Sequence, residues 1–532
     1  MTITIKIKDG QTFEADESKT LLENLLHAGE FIDNPCNGKG KCGKCKVRVL
    51  EGECTPLTDE EKRLLKQDEI ESGVRLSCVV FPKGDVTVEL MQKVLEHKVL
   101  TTGKIPEFEH DENLRGYGFA IDIGTTTVVA SLVNLATGEE LASASDINAQ
   151  KHYGLDVLTR ITYEYEHPET GIGELQVAIV DSLNDLMAQA CKKAKVSIGD
   201  INKINVAANC TMMHMLLGVD ARSIGKAPYE PAFRDAKEMP ASDIGLNGSE
   251  GCILYCLPHV SSYIGADIVA GAYVCEMQKT SDNELFIDIG TNGEIVLAKG
   301  GKLYSCSCAA GPALEGMNIS SGMRAATGAI EEVHIFSDEI KLDTIGKAKP
   351  EGICGSGILA VTREIVVSGI IQKSGVFVKP DKLDENDWRR NHIRMNGTKR
   401  ELVLCEDPEI LVTQSDVRQV QMAKGAILSG FMALLHEAEI DMEDLDRVFI
   451  AGQFGAHLSV DSLVGSGILP ACVQDKLVYV GNSSKTGAYM TLLSEKVKHE
   501  IEQLAEDIDY LELSTLKNYD RIYSECMMFP EF

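Results

Sequence analysis

The segments "YGFAIDIGTTTVVASLVNLATGEEL" (117–141) and "NELFIDIGTNGEIVLAKGGKLYS" (283–305) repeat one order of parts: an apolar strand, Asp-Ile-Gly-Thr, a second strand, a glycine-containing turn and a third strand. Asp122 and Asp288 lie a domain length apart, far beyond the period of roughly 20–50 residues that marks a solenoid. The repeat therefore predicts two related lobes, each opening on the same hairpin. A tight turn with glycine, flanked by hydroxyl residues and an aspartate at the strand end, is one way to hold phosphates. Backbone N–H groups and threonine hydroxyls contact oxygens, glycine permits close approach, and the carboxylate orders Mg²⁺ through its waters. Asp122, Gly124, Thr125 and Thr126 fit that description, and so do Asp288, Gly290, Thr291 and Asn292. No G-x-x-x-x-G-K-[ST] occurs, so a P-loop is excluded.

The N-terminal part carries different chemistry. Cys36, Cys42 and Cys45 in "CNGKGKCGKC" give C-x5-C-x2-C, and Cys78 follows in "RLSCVV". An iron–sulfur cluster needs four converging thiolates, and a glycine-rich loop lets the backbone wrap closely, a demand that Gly38, Gly40 and Gly43 suit. Plant-type spacing is C-x4-C-x2-C, and this loop is one residue longer. It resembles the variant loop of vertebrate-type ferredoxins and of enzyme-fused ferredoxin domains. A structural zinc site usually presents two close cysteine pairs, whereas only Cys42 and Cys45 form such a pair. "GKGKCG" (38–43) matches G-x-G-x-x-G inside the cysteine loop rather than between strand and helix, which rejects a dinucleotide reading.

Around that loop, residues 1–92 read as a small α+β domain. "TITIKIKDGQTFEAD" predicts a hairpin with Asp9-Gly10 at its tip, and "KCKVRVLEGE" and "DVTVELM" predict further strands. "ESKTLLENLLHAGE" has helical spacing, with Ser18 or Asp16 as cap and Gly29 near its end. Residues 93–116 have no sustained period and read as a linker; 117–280 and 281–532 are the two lobes. Long amphipathic helices are expected over 173–194 and 415–438, the second capped by Ser415. "VFIAGQFGAH" (448–457) and "LVYVGNSS" (477–484) each predict a strand running into a small-residue turn.

For 532 residues a prior of about 150 per domain gives about three or four units. The formal charge of −29 argues against a nucleic-acid partner. The apolar runs fall short of the ~20 residues that span a bilayer, and the N-terminus lacks a secretory core. Sixteen cysteines then suggest reduced thiols, a metal and a cytoplasmic location.

Several residues receive ordinary roles. Cys306 and Cys308 in "SCSCAAG" are expected on opposite faces of a strand as buried thiols, and Cys252, Cys256 and Cys354 as packing residues. Cys54 lies outside the cluster pattern. His214 in "TMMHMLL" is expected to be a satisfied core histidine, with Met212, Met213, Met215 and Met422 as adaptable packing. Glu294 and Glu315 follow the phosphate-side turns, and nothing in the sequence chooses between them as the group that positions water.

The paired hairpins resemble those of the actin-like ATPase superfamily of acetate and sugar kinases, heat-shock chaperones and actin. "VFIAGQFGAH" matches that superfamily's adenosine motif, although Gln453 stands where a small residue is more usual. With the ferredoxin loop, and with "HYGLDVLTRI" (152–161), "NCTMMHMLLG" (209–218), "SCSCAAGPALEGMNISSGM" (305–323), "ICGSGIL" (353–359), "QSDVRQVQMAKGAI" (414–427) and "AGQFG" (451–455), the whole chain resembles the reductive activators of corrinoid proteins. The resemblance implies an α/β multidomain fold: an N-terminal α+β [2Fe–2S] ferredoxin-like (β-grasp) domain and a two-lobed actin-like (RNase H-like) ATPase. It implies ATP-driven one-electron reduction of inactive Co(II) to Co(I) on a corrinoid protein, either a methyltransferase corrinoid subunit or a corrinoid iron–sulfur protein. Electrons would come from a low-potential donor, and a homodimer is allowed for. By position, Cys36, Cys42, Cys45 and Cys78 would ligate the cluster, and Asp122, Thr125, Thr126, Asp288, Thr291 and Asn292 would bind phosphates and Mg²⁺. Asp122 and Asp288 would be the catalytic pair, and Gly452, Gly455, Gly481 and Asn482 would lie against the nucleotide. The rival readings are an activator of a radical dehydratase or aryl-CoA reductase, a redox-sensing small-molecule kinase, and a nucleotide-gated binding protein for corrinoid proteins.

Overall fold

The computed structural model describes residues 2–531 apart from 9, 29, 31, 33–37, 42, 92–102 and 453–457. By contacts the chain divides into two compact units: Met1–Glu96 together with Ala149–Arg160, and His97–Asn148 together with Ile161–Phe532.

The first unit is built on a five-stranded sheet in the spatial order Thr12–Asp16, Thr2–Ile7, Val86–Leu90, Lys46–Glu51, Val74–Leu76. The first and last strands in sequence pair in parallel at its centre, and the other neighbours are antiparallel. Alternation in "TITIKI" turns Ile3, Ile5 and Ile7 inward, where Val47 and Val88 meet Leu21, Leu22 and Leu25 of the helix Leu21–His27. Each such fully buried side chain contributes roughly 1.5–3 kcal/mol relative to exposure. The helix cap is Thr20, in a capping box with Glu23, rather than Ser18 or Asp16. Those two are occupied with each other, because Asp16 Oδ1 accepts from both the Ser18 amide and its hydroxyl. Glu61, fully buried, accepts from Arg75 Nε at 2.8 Å and from the Leu76 amide, which anchors the strand leading to Cys78. In Ala149–Arg160, the Arg160 side chain is itself buried, with Nε donating to Gly154 O and Nη1 to Gln150 Oε1.

The second unit contains two six-stranded sheets. The first has the order Lys237–Pro240, Ile253–Cys256, Ile201–Ala208, Tyr117–Ile123, Thr127–Asn134, Glu140–Ile147. The second runs Leu477–Gly481, Arg447–Ala451, Glu284–Ile289, Gly293–Lys299, Lys302–Cys308, Ile508–Tyr510. In both, the strand that ends in Asp-Ile opens an antiparallel meander on one side and has a parallel neighbour on the other. The duplicated hairpins thus begin duplicated sheets, as expected for an actin-like pair of lobes. A long helix backs each meander: Gly171–Ala194 on the first and Gln414–Glu437 on the second. The second is capped by Thr413, in a capping box with Asp416, one residue inside which Ser415 is already helical.

Helices are exchanged between the lobes. Ala266–Val274 leaves the first lobe and packs on Glu284–Ile289 and Gly293–Lys299 of the second. Ser483–Leu493 leaves the second lobe and packs on Tyr117–Ile123 and Ile201–Ala208 of the first. They cross where a Cβ added to Gly487 would lie 2.5 Å from Ala270 Cβ, and one added to Gly271 would lie 2.3 Å from Phe286 Cζ. Only hydrogen fits at either position. The described part of the expected linker, 103–116, has no helix or strand but is fastened down: Lys104 N donates to Val480 O, Asp111 N to Leu493 O, and Phe108 meets Tyr489 edge-on.

Cys306 and Cys308 correct an expectation. Residues two apart in a strand share a face, and both sulfurs face Gly430 of the long helix, 3.3 and 2.7 Å from where its Cβ would stand. They are nonetheless buried thiols, as are Cys252, Cys256 and Cys354. No helix among the described residues is long and apolar enough to cross a membrane.

Gly487→Ala is expected to force the crossing helices apart and to destabilise the chain by about 1–3 kcal/mol, the cost of overpacking a closed contact. The midpoint of urea unfolding measures it; an unchanged midpoint would mean that the crossing has room to spare.

Candidate functional site

The turn of the first hairpin is closed by Gly124 N–H donating to Thr127 O at 2.9 Å. Asn148 holds the same turn from outside, its amide donating to Thr126 O and its side chain to Gly124 O. Asn209 caps the helix Cys210–Leu217 with its oxygen, and its Nδ2 donates to Thr125 Oγ1 at 3.0 Å. The second turn is closed by Gly290 N–H to Asn292 O, and Gly311 N–H donates to Thr291 O. Here the hydroxyl proton of Thr291 goes to Glu315. That leaves the Thr291 oxygen as an acceptor, suited to a cation more than to a phosphate oxygen.

Asp122 sits at the end of its strand with both carboxylate oxygens engaged across the lobes: Oδ2 accepts from Asn482 Nδ2 at 2.9 Å and Oδ1 from Ser484 Oγ at 2.7 Å. Burial pushes its carboxyl up despite these bonds. Asp288 is pushed up to about 7 by burial and then by the charge of Asp122. Asp267, in the first turn of Ala266–Val274, is pushed up to about 8 by burial and by Asp288 and Asp122. Glu294 is raised by burial and by Asp288 and Asp267. Four half-buried carboxyl groups therefore repel one another across the two turns, the charge pattern of a site completed by a cation. Among the described residues no three such groups are spaced to hold a metal ion directly. Gly452, at φ +85°, lies so close that an added Cβ would stand 2.4 Å from Asp288 Oδ1. Gly481 ends its strand at φ +73° and Asn482 caps the helix that follows. Gly455 lies outside the described residues.

In the first unit Cys45 and Cys78 are brought together from opposite ends of the pattern. Cys45 immediately precedes the strand Lys46–Glu51, and its carbonyl accepts from both the amide and the hydroxyl of Ser77. A hydrogen bond from Cys78 holds the Cys45 thiol down at about 7. Gly38, Gly40 and Gly43 all adopt positive φ, and a Cβ on Gly40 would press on Val79 at 3.0 Å. Two adjacent buried sulfurs and a left-handed glycine loop fit an iron–sulfur cluster. Cys36 and Cys42 lie outside the described residues.

Sequence reasoning missed Asn148, Asn209, Asp267 and Ser484. Asn209 had a signal, a strand running into Asn at the start of a helix; Asp267 had no local one. Asn148 and Ser484 had none, since their partners are set by topology. His214 is the satisfied core histidine expected: Nδ1 bonds to Cys210 O, and Nε2 accepts from Ala232 N.

Residues 282–532 match the model of the C-terminal, actin-like (ASKHA) domain of RACo, 117–280 its middle region, and 4–83 the 2Fe–2S cluster-binding domain. The chain is 33% identical over 443 residues to the corrinoid activation enzyme RamQ of Eubacterium limosum, covering 82% of this chain and 74% of that one. It is 26% identical over 440 residues to the [Co(II) methylated amine-specific corrinoid protein] reductase of Methanosarcina barkeri, 76% of each chain. The solved structure of a reductive activator for a corrinoid iron–sulfur protein superposes with a TM-score of 0.68 at 31% identity, covering 99% of this chain and 98% of that one.

Asp267→Asn tests the carboxylate cluster. A carboxyl raised in the fold contributes stability that is full below its ordinary value of 3.8 and is lost as pH rises through the folded value, here about 8. Without nucleotide, the variant is expected to show a higher urea midpoint than wild type at pH 8 and the same midpoint near pH 4. The opposite order would show that Asp267 is not held against like charges.

Proposed function

The chain belongs to the RACo family of reductive activators of corrinoid proteins, and from that membership we propose how its residues divide the work of ATP-dependent reduction of a corrinoid protein from Co(II) to Co(I). The protein is an ATP-hydrolysing iron–sulfur enzyme, with a [2Fe–2S] cluster, ATP and Mg²⁺ as its cofactors. Residues 1–92 form the electron-entry domain, 93–116 join it to the ATPase, and 117–280 and 281–532 are the ATPase lobes. The cluster supplies single electrons at low potential. Cys36, Cys42, Cys45 and Cys78 hold it, and the left-handed glycines let the backbone wrap around it.

On the ATPase side, Thr125 lies at the phosphate turn, where Asn209 holds its side-chain oxygen. Thr126 and Asn292 take part in the same clamp, and Thr291 offers its oxygen toward the cation. Asp288 and Asp122 orient the water shell of Mg²⁺, whose charge relieves the repulsion among the four carboxyl groups. Gly452 and Gly455 admit the nucleoside, and Gly481 and Asn482 end the strand beside it. Because Asp122 already grips Asn482 and Ser484 of the other lobe, a nucleotide drawn onto Asp122 alters the bonds that set the two lobes against each other. A change of partner affinity between nucleotide states is the form in which ATP can drive an uphill electron. Plant-type clusters lie near about −400 mV, and each further ~59 mV costs about 1.4 kcal/mol for one electron.

The observation that carries this reading is one chain holding both a cysteine pair set in a glycine loop and two facing Asp-Ile-Gly-Thr turns. The partner is a corrinoid protein, either a methyltransferase subunit or a corrinoid iron–sulfur protein; the donor is a low-potential reductant, and the setting is the cytoplasm. The names carried by the full-length relatives favour this over a dehydratase activator or a kinase.

The test is an anaerobic visible spectrum of a Co(II) corrinoid protein with catalytic amounts of this chain and a low-potential reductant. The Co(I) band is expected only with Mg-ATP, to vanish in Cys45→Ser, and to form on the order of 100-fold more slowly in Asp288→Ala, the scale of losing a preorganised electrostatic group. A reduced cluster with no cobalt change against several corrinoid proteins, Mg-ATP present, would overturn the function.

A further inference from the structure

Away from the nucleotide turns lies a cavity of about 390 Å³ whose walls come from both lobes. Tyr229, Glu230, Arg234 and Tyr263 belong to first-lobe segments that precede the helix Ala266–Val274. Tyr510 and Glu512 belong to the chain's last crossing, in and just after the strand Ile508–Tyr510, which pairs with Lys302–Cys308 of the second lobe. None of its lining residues belongs to the two phosphate turns. Resting on the function proposed above, we infer that this cavity is the socket for a projecting loop of the corrinoid protein, with a basic side chain at the loop's tip.

Four observations support that occupant. The lining carries three tyrosines, Tyr229, Tyr263 and Tyr510, a residue type that concentrates at protein–protein contacts and dominates their energies. Two carboxylates, Glu230 and Glu512, stand against the single guanidinium of Arg234, on a chain with a formal charge of −29, so a cationic tip is favoured over an anionic one. Tyr263 lies 5.8 Å from the ring of Tyr229, and Tyr510 donates its hydroxyl to Glu512 at 3.1 Å. A cation seated there would meet aromatic faces as well as carboxylates. Finally, Tyr229 adopts φ +62°, a conformation disfavoured for a bulky residue, and keeps 41% of its surface exposed. Its carbonyl is held by the Ser262 hydroxyl. An exposed ring kept in a strained backbone is over-determined by its surroundings.

The socket is joined to the nucleotide site. His259 N–H donates to Arg234 O, and His259 Nδ1 accepts from the Ala266 amide at 3.0 Å, at the start of the helix that carries Asp267. Because its two walls belong to different lobes, its width follows the angle between them, and a nucleotide that moved the lobes would alter it. One cavity can thus have a different affinity for the same loop in the ATP and ADP states.

The experiment measures the affinity of the full chain for a Co(II) corrinoid protein with Mg-ATP and with Mg-ADP, in wild type, Glu230→Lys and Tyr229→Ser. Glu230 is exposed, so its variant tests charge without threatening the fold. Both variants are expected to bind at least tenfold more weakly with Mg-ATP, while basal ATP hydrolysis and the visible spectrum of the reduced cluster stay as in wild type. Wild-type affinity in both variants overturns the socket, and so does unchanged affinity with Co(I) formation lost, which would point to a small molecule in the cavity. If the wild-type chain itself forms no Co(I) on any corrinoid protein, the underlying function fails first and the socket falls with it.

Discussion

The carboxylate of Asp122 stands at the end of a first-lobe strand and accepts hydrogen bonds from two residues that begin a helix leaving the second lobe. That helix, Ser483–Leu493, returns to pack on the very strand that Asp122 terminates, while Ala266–Val274 makes the reverse journey. Neither lobe is therefore complete without a helix from the other. The glycine-lined crossing at Ala270 and Gly487 fixes how closely the two helices approach, and the aspartate bonds fix where the second one starts. A group that repels its neighbours electrostatically has been made the latch between them. Such a latch is stable only while its hydrogen bonds offset desolvation, and a metal-bound triphosphate acts on that same balance.

The four carboxyl groups give the ATPase centre its direction. Asp122, Asp267, Asp288 and Glu294 are each raised by burial, and the last three also by one another or by Asp122. Their repulsion is strain that binding relieves. In a protein that must make an electron go uphill, the useful property is a difference in free energy between nucleotide states that a second protein can sense. The arrangement gathers its charge at the two proposed phosphate turns, beside the bonds from Asp122 to the other lobe.

What could be read from the sequence follows the range over which each signal acts. The duplicated hairpins, the cysteine loop and the long helices depend on neighbours a few positions away, and the strands and helices at 117–134, 284–299, 171–194 and 414–437 stand where periodicity puts them. The caps stand two residues from Ser18 and Ser415, at Thr20 and Thr413, because several hydroxyl residues cluster at each helix start and only the capping box separates them. The shared face of Cys306 and Cys308 follows from the two-residue period of a strand. Asp267, Asn148 and Ser484 belong to the site only through lobe topology, and no local pattern reports that. The absence of a period marks 93–116 as a linker, and in its described part, 103–116, Lys104, Phe108 and Asp111 make isolated contacts that tie it down.

Part of the first unit lies outside its own stretch of sequence. Ala149–Arg160 is clustered with Met1–Glu96, although the chain reaches it only after building three strands of the first ATPase lobe and leaves it again through a helix of that lobe. The unit that holds the cysteine pair is thus drawn from two stretches of sequence, with a first-lobe meander between them. A piece ending at Glu96 would hold the whole stretch that matches the 2Fe–2S cluster-binding domain, 4–83, and would leave behind Ala149–Arg160 with its buried arginine.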